Sequence, residues 1–272
     1  MTIDLTQTTV GAIHDALRHA RQRLGGPATG MVLTLVIVTG EDAQYDAVRA
    51  ASEAAREHPC RVLVVITRRP QTESRLDAEI RVGEISPGET VLLRMYGLLG
   101  QHADSVVAPL LVPDTPVVTW WPGAPPAVPS KHPLGQFAQR RITDAASCDS
   151  PRQCLASLAA AYQPGDTDLS WTRATPWRSL LAATLDQPHA AIDSGLVAAE
   201  DANPTADLLA AWLACRLHVP FGNQTSAGPG ITDVSFSTGE GDIIVNRPDG
   251  RLAVLQRPGQ PERHVALHRR ET

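Results

Sequence analysis

Few side chains in this chain are spaced for chemistry, and the best spaced are two carboxylates. Asp166 and Asp168, in Pro164-Gly165-Asp166-Thr167-Asp168, face the same way if that segment is extended. Such a pair suits a cation or general acid/base work. In a turn, the same residues more simply accept a backbone N–H or pair with an arginine, which is the reading preferred here. The nine histidines are scattered, and the closest pairs, His14 with His19 and His264 with His268, lack supporting carboxylates. No H-E-x-x-H helix or G-x-S-x-G elbow occurs. Gly25–Gly30 follows a helical pattern and precedes a strand, the reverse of what a phosphate-binding helix N-terminus needs, and Gly222–Gly230 has the same defect. The first apolar strand runs into Thr39-Gly40-Glu41-Asp42, with no G-x-G-x-x-G and with acids that would repel a phosphate. The expectation is no catalytic, metal-binding or cofactor-binding residue.

What remains is a set of tryptophans and arginines with polar neighbours. In Leu110–Pro126, Val117-Val118-Thr119-Trp120-Trp121 is β-branched and aromatic without a charge, and turn formers flank it. That is the pattern of a short strand buried on both faces, as in a parallel sheet. The loop beyond it holds Pro122, Pro125 and Pro126, which stiffen the place where open α/β sheets usually meet ligands and partners. Consecutive strand residues point to opposite faces. Trp120 is expected in the core, and Trp121, beside Pro122-Gly123, under thinner cover. Arg140 and Arg141 precede a helix over 150–162, and Asp166, Asp168, Trp171, Arg173 and Trp177 follow it. Trp and Arg are enriched at the energetic centres of interfaces. Trp121, Pro122, Gly123, Arg140, Arg141, Asp166, Asp168, Trp171, Arg173 and Trp177 are therefore the candidate interface residues. They suit a surface for a protein partner and a domain–domain interface within the chain equally well.

The elements that must position these residues come from periodicity. Val10, Ile13, Leu17 and Ala20 predict a helix over 8–24, ended by Gly25-Gly26-Pro27. Met31–Val38 and Cys60–Thr67 are apolar strands, joined by a helix over 42–58 with Tyr45, Val48, Ala51 and Ala55 inward. This β–α–β spacing implies parallel neighbours and a right-handed crossover. Asp77–Glu84 and Glu89–Tyr96, either side of a Ser86-Pro87-Gly88 turn, read as a hairpin on the sheet's edge. A helix over 99–111 leads to the Trp strand, a helical turn over 132–137 follows it, and Arg140–Asp144 is a last short strand. Gln163–Asp168 is the boundary candidate, giving domains 1–163 and 164–272. Beyond it, helices open at Thr175-Pro176, with Thr175 as cap, and at Thr205, before an antiparallel meander through 234–236, 243–246, 252–256 and 263–267. The predicted fold class is α/β: a mainly parallel, Rossmann-like N-terminal sheet without a dinucleotide motif, then an α+β C-terminal domain.

Composition narrows the function classes. The 272 residues carry a formal charge of −5 and a pI near 6.0, and no basic stripe with interleaved aromatics appears. Nucleic acid and an anionic membrane surface are therefore poor partners. Of 24 cations only Lys131 is a lysine, a genome-composition bias that lowers the weight of any lone arginine. The longest apolar run, Met31–Val38, is far short of a membrane span. No signal or transit pattern opens the chain. Cys60, Cys148, Cys154 and Cys215 include no C-x-x-C, so a cytoplasmic protein with buried thiols is expected. Nothing in the sequence alone favours joining Cys148 to Cys154.

PLLVPDTPVVTWWPGAPP, the RRITDA of Arg140–Ala145, PGDTDLSWTRATPWRSLLAATLD over Pro164–Asp186 and HPCRVLVVI over His58–Ile66 together resemble OpcA, the glucose-6-phosphate dehydrogenase assembly family. The Arg-rich, Lys-poor composition suits the actinobacterial type. The resemblance implies a non-catalytic assembly factor and allosteric activator. Its partner would be glucose-6-phosphate dehydrogenase of the oxidative pentose phosphate pathway. It hands over no catalytic or cofactor residue. Thiol-based control, associated with cyanobacterial members, finds no cysteine pair here that matches such a switch. The alternative from another class is a phosphosugar-binding sensor or enzyme using the carboxyl edge of the N-terminal sheet.

Overall fold

The computed structural model describes residues 1–24, 30–67, 73–83 and 88–268. The expected helix stop at Gly25-Gly26-Pro27 and most of the Ser86-Pro87-Gly88 turn lie outside the described residues. The chain falls into two compact units, 1–144 with 160–167, and 145–159 with 168–272. The boundary expected after Gln163 falls within the stretch 160–167, which joins the first unit after 145–159 has joined the second.

In the first unit, eight strands form one sheet. They are β1 (Thr2–Leu5), β2 (Leu33–Thr39), β3 (Cys60–Thr67), β4 (Arg75–Val82), β5 (Glu89–Tyr96), β6 (Val117–Trp120), β7 (Arg140–Thr143) and β8 (Asp166–Asp168), in the order β1-β4-β5-β3-β2-β6-β7-β8. The centre, β5-β3-β2-β6-β7, is parallel, while β4 runs antiparallel to β5 and β1 antiparallel to β4. The expected hairpin is present, but β1 lies outside it and pairs Thr2 with Arg81. Four residues are too few to read as a strand alone; β4 supplies the pairing that defines them.

β3 is apolar on nearly every residue because both of its faces are covered. Helix α1 (Val10–Leu24) packs Ile13, Leu17 and Ala20 against Leu63 and Val65, joined by Val106 of α3 (Ala103–Val107) and Leu134 of α4 (Pro133–Gln136). Helix α2 (Gln44–Glu57) packs Ala47, Val48, Ala51 and Ala55 against the alternate residues Val62, Val64 and Ile66. Tyr45, expected inward, is 74% exposed. The buried face of α2 runs through Gln44, Ala47, Val48, Ala51 and Ala55, and Tyr45 lies off that stripe. The predicted helix over 99–111 is shorter: α3 sits between two 3-10 turns at Gly97–His102 and Ala108–Leu110.

The second unit backs a six-stranded sheet with helices. Its elements are α5 (Pro151–Ala160), α6 (Leu169–Arg173), α7 (Thr175–Leu185), β9 (Ile192–Ala199), α8 (Pro204–Leu217), β10 (Phe221–Thr225), β11 (Ile231–Thr238), β12 (Ile243–Asn246), β13 (Leu252–Gln256) and β14 (Arg263–Ala266). The order is β10-β9-β11-β12-β13-β14, antiparallel except for the parallel pair β9–β10. Val197, Val234, Phe236, Val245, Ala253 and Leu255 form a core with Trp177, Leu181, Leu209 and Leu213 of α7 and α8. The meander stands where predicted. β9 went unread because Asp193-Ser194-Gly195 hides its start; there the Phe221 ring covers Gly195 so closely that a Cβ would meet it at 2.1 Å. Thr175 is not the cap of α7: Ala174 precedes the helix in αR conformation without a side-chain cap, and α6 runs almost directly into α7.

Candidate partner-binding site

Strand order locates the first candidate surface. From β2 the sheet grows through β3 to β5, and the chain then returns to place β6 on the other side of β2. The carboxyl ends of β2 and β6 are thus a topological switch point, where open α/β sheets bind what they bind. The loop from Trp121 leaves the sheet there. Pro122, Gly123, Pro125 and Pro126 are half-buried and Ala124 is exposed.

The root of that loop is locked from below. The Trp121 N–H donates to the Ile142 carbonyl at 3.0 Å, and the Thr119 hydroxyl to that of Leu134 at 3.0 Å. The Trp121 ring meets the His132 ring edge-to-face at 5.4 Å between centroids. His132 caps α4, its Nδ1 accepting the Leu134 N–H at 3.2 Å. That bond selects the neutral ring, and burial pulls the imidazole below its ordinary pKa, with Asp104 opposing. A Cβ at Gly135 would fall 1.9 Å from the Pro129 carbonyl oxygen and 3.3 Å from the Trp121 ring, so only glycine fits.

The burial of Trp120 and Trp121 is the reverse of that expected. Trp121 is 3% exposed and belongs to the core. Trp120 is half-buried against the α2 side, its indole nitrogen shut from solvent without an acceptor. Leaving the strand does not uncover Trp121, because α4 and the turn before it fold back over the ring. This is a long-range contact that the local pattern does not encode.

The carboxylates behave as the turn reading predicts. Asp166 pairs with Arg141 and accepts the Gln163 N–H at 2.8 Å. Arg141, 8% exposed, also donates to the carbonyls of Ala138 at 2.9 Å and Pro164 at 2.7 Å. Asp168 caps α6 by accepting the Ser170 N–H at 2.9 Å, and takes the Ala145 N–H at 2.8 Å. Arg141 and Asp166 therefore fix the chain path, while Arg140 is exposed. Among the described residues, no group of three or more His, Cys, Asp or Glu is placed to hold a metal ion.

In the second unit Trp177 is 2% exposed, under the guanidinium of Arg247, while Trp171 and Arg173 are half-buried. Trp171 has a neighbour the sequence did not single out: Arg178 lies 3.8 Å over its ring and 5.4 Å from that of Trp212. The i, i+7 spacing of Trp171 and Arg178 across two helices was the available signal. Cysteine pairing also departs from expectation. Cys148 and Cys154 form a disulfide with Cα atoms 6.4 Å apart, leaving Cys60 buried and Cys215 exposed as the free thiols. Cys154 is the fourth residue of α5 and Cys148 lies in the turn before it, so helix geometry brings together residues that look unrelated in sequence.

Sheet and site define an α/β protein whose switch point carries a rigid aromatic-and-proline loop in place of a phosphate cradle. A family model described as the glucose-6-phosphate dehydrogenase subunit N-terminal domain matches residues 51–160, and one described as its C-terminal domain matches 164–272. The chain belongs to the OpcA family. It is similar to a putative OxPP cycle protein OpcA from Synechocystis sp., 27% identical over 156 residues, which are 51% of this chain and 32% of that protein. The chain thus spans about a third of that relative's length. Among the described residues no helix is long and apolar enough to cross a membrane.

Proposed function

We propose that this chain is a non-catalytic assembly factor and allosteric activator of glucose-6-phosphate dehydrogenase, serving the oxidative pentose phosphate pathway in the cytoplasm. The observation that carries this reading is the pair of adjoining family models, both named for that dehydrogenase, over 51–160 and 164–272. An activator shifts its partner only by binding the active state more tightly than the inactive one. A coupling of about 1–3 kcal/mol corresponds to roughly 5–150-fold. The contact in the first unit falls on the half-buried Pro122-Gly123 loop and exposed Arg140, since Trp121 and Arg141 are occupied in holding the fold.

The test is dehydrogenase turnover with and without the purified chain, alongside the chain alone with glucose 6-phosphate and nicotinamide dinucleotides. Activation by at least severalfold, with no turnover by the chain alone, is expected. Unchanged turnover together with no detectable complex sinks the reading.

One feature favours the sensor alternative enough to test. A cavity of about 770 Å³ lies at the carboxyl end of β5, lined by Thr8, Thr9, Arg75, Tyr96, Ser105 and others. A thermal shift of the chain alone with glucose 6-phosphate would support it.

A further inference from the structure

Arg178 has an unusual setting for a cation. Its guanidinium stacks on Trp171 of α6 at 3.8 Å and faces Trp212 of α8 at 5.4 Å. Its Nε is closed to solvent and reaches no acceptor, and among the described residues no carboxylate pairs with the group. Several other covered arginines have partners on their N–H groups: Arg21 pairs with Glu89, Arg81 and Arg94 with Glu79, and Arg257, without a carboxylate, donates to Gln187 and Pro188. Arg178 has one face covered by the Trp171 indole, with Trp212 further off, and its Nε closed off, so the terminal Nη groups are what it can offer a partner.

That edge has a definite chemical complement. Stacking on Trp171 has already removed water from one guanidinium face, so an arriving carboxylate pays less further desolvation there and meets the paired terminal N–H donors. A charge-assisted, two-pronged pair forms in the plane of the fork. Around it, Trp171 and Trp212 are half-buried, and Thr175, Ser179 and Ala182 of α7 are small and exposed, which lets a partner's backbone come close. Trp and Arg together, surrounded by small side chains, make the composition of an interface centre.

We propose that the Trp171–Arg178–Trp212 stack is a docking point for glucose-6-phosphate dehydrogenase, receiving an aspartate or glutamate carboxylate of that partner on the edge of Arg178. This rests on the dehydrogenase being the partner. The stack also ties α6, α7 and α8 together, but that purpose alone asks for apolar contact and not for an unneutralised charge.

The experiment measures affinity of the full chain for purified dehydrogenase, and melting temperature, for wild type, Arg178→Lys, Arg178→Met and Ala182→Glu. Lysine keeps the charge and loses the fork. Ala182→Glu, exposed one turn further along α7, offers the guanidinium a carboxylate from its own helix and repels one from outside. The expected result is a loss of roughly thirtyfold in affinity for Arg178→Met and a clear loss for Arg178→Lys and Ala182→Glu, Ala182→Glu melting within a few degrees of wild type. If Arg178→Met fails to fold, the lysine and glutamate variants decide. Wild-type binding that all foldable variants retain overturns this docking point and leaves the proposed function standing. No binding by wild type overturns both.

Discussion

Arg61 and Glu89 are register partners on neighbouring parallel strands, β3 and β5, and form an ion pair of 2.9 Å with side chains only 6% and 4% exposed. Arg21 of α1 reaches the same carboxylate, and Arg61 donates to the Leu110 carbonyl at 2.6 Å. Burial pulls the Arg61 guanidinium below its usual pKa while Glu89 holds it up. One carboxylate is therefore shared by two cations at the amino ends of β3 and β5. Removing it leaves buried Arg61 without its carboxylate beside the half-buried Arg21 cation. Glu89→Ala should cost about 3–5 kcal/mol in urea unfolding. A loss below about 1 kcal/mol would show that water or a shifted strand relieves the pair.

His132 gives a pH signature. Its folded-state pKa lies below the ordinary 6.5, so in acid the unfolded chain takes up a proton that the folded chain refuses. Stability contributed by neutral His132 is whole above about 6.5 and falls as pH drops below it. The melting temperature should decline on acidification towards pH 5, and His132→Gln should flatten part of that decline. An unchanged slope in the variant would assign the acid sensitivity to other groups.

Trp121→Ala removes a fully enclosed ring and should destabilise by about 3–5 kcal/mol. Trp120→Ala should cost less, because that residue is only half-buried. Denaturant midpoints of the two variants rank them directly. The reverse order would mean that α4 does not hold its place over Trp121 in solution.

Thiol counting checks the cysteine arrangement. Denatured, unreduced protein should show two reactive thiols and reduced protein four, since Cys148 and Cys154 are joined. In the native state Cys215, exposed, should label fast, and Cys60, whose thiol burial pushes up in pKa, very slowly. Four thiols before reduction would contradict the pairing.

Much of the fold is written in local pattern. The mainly apolar runs of β3 and β5, the hairpin partner β4 and the C-terminal meander each satisfy the period their environment requires, and the bounds of β3, β5, β12 and β13 coincide with prediction. Two of the misses share a cause. β1 and the cover of Trp121 depend on segments brought together by tertiary structure, which no window of neighbouring residues contains, whereas the Cys148–Cys154 pair is local and needed the start of α5 to be placed. Within the site, the local contacts of Asp166 and Asp168, to the Gln163 and Ser170 N–H groups, were legible as turn chemistry, while their contacts with Arg141 and Ala145 come from more than twenty residues away. Arg61 was the overlooked signal: a lone cation inside Cys60–Thr67 demands a buried carboxylate somewhere, though the sequence does not say that it is Glu89.

The two units are interleaved along the chain. It leaves the first unit after Asp144, returns for 160–167, and leaves again after Asp168 begins the second. β8, the last strand of the first sheet, is thus reached only after part of the second unit has been made. No single break in the gene separates the two: wherever one cut falls, at least one fragment lacks a piece of its own unit. Exchanging the units between related proteins would require three matched junctions, so they can be expected to have been inherited together and not shuffled as modules.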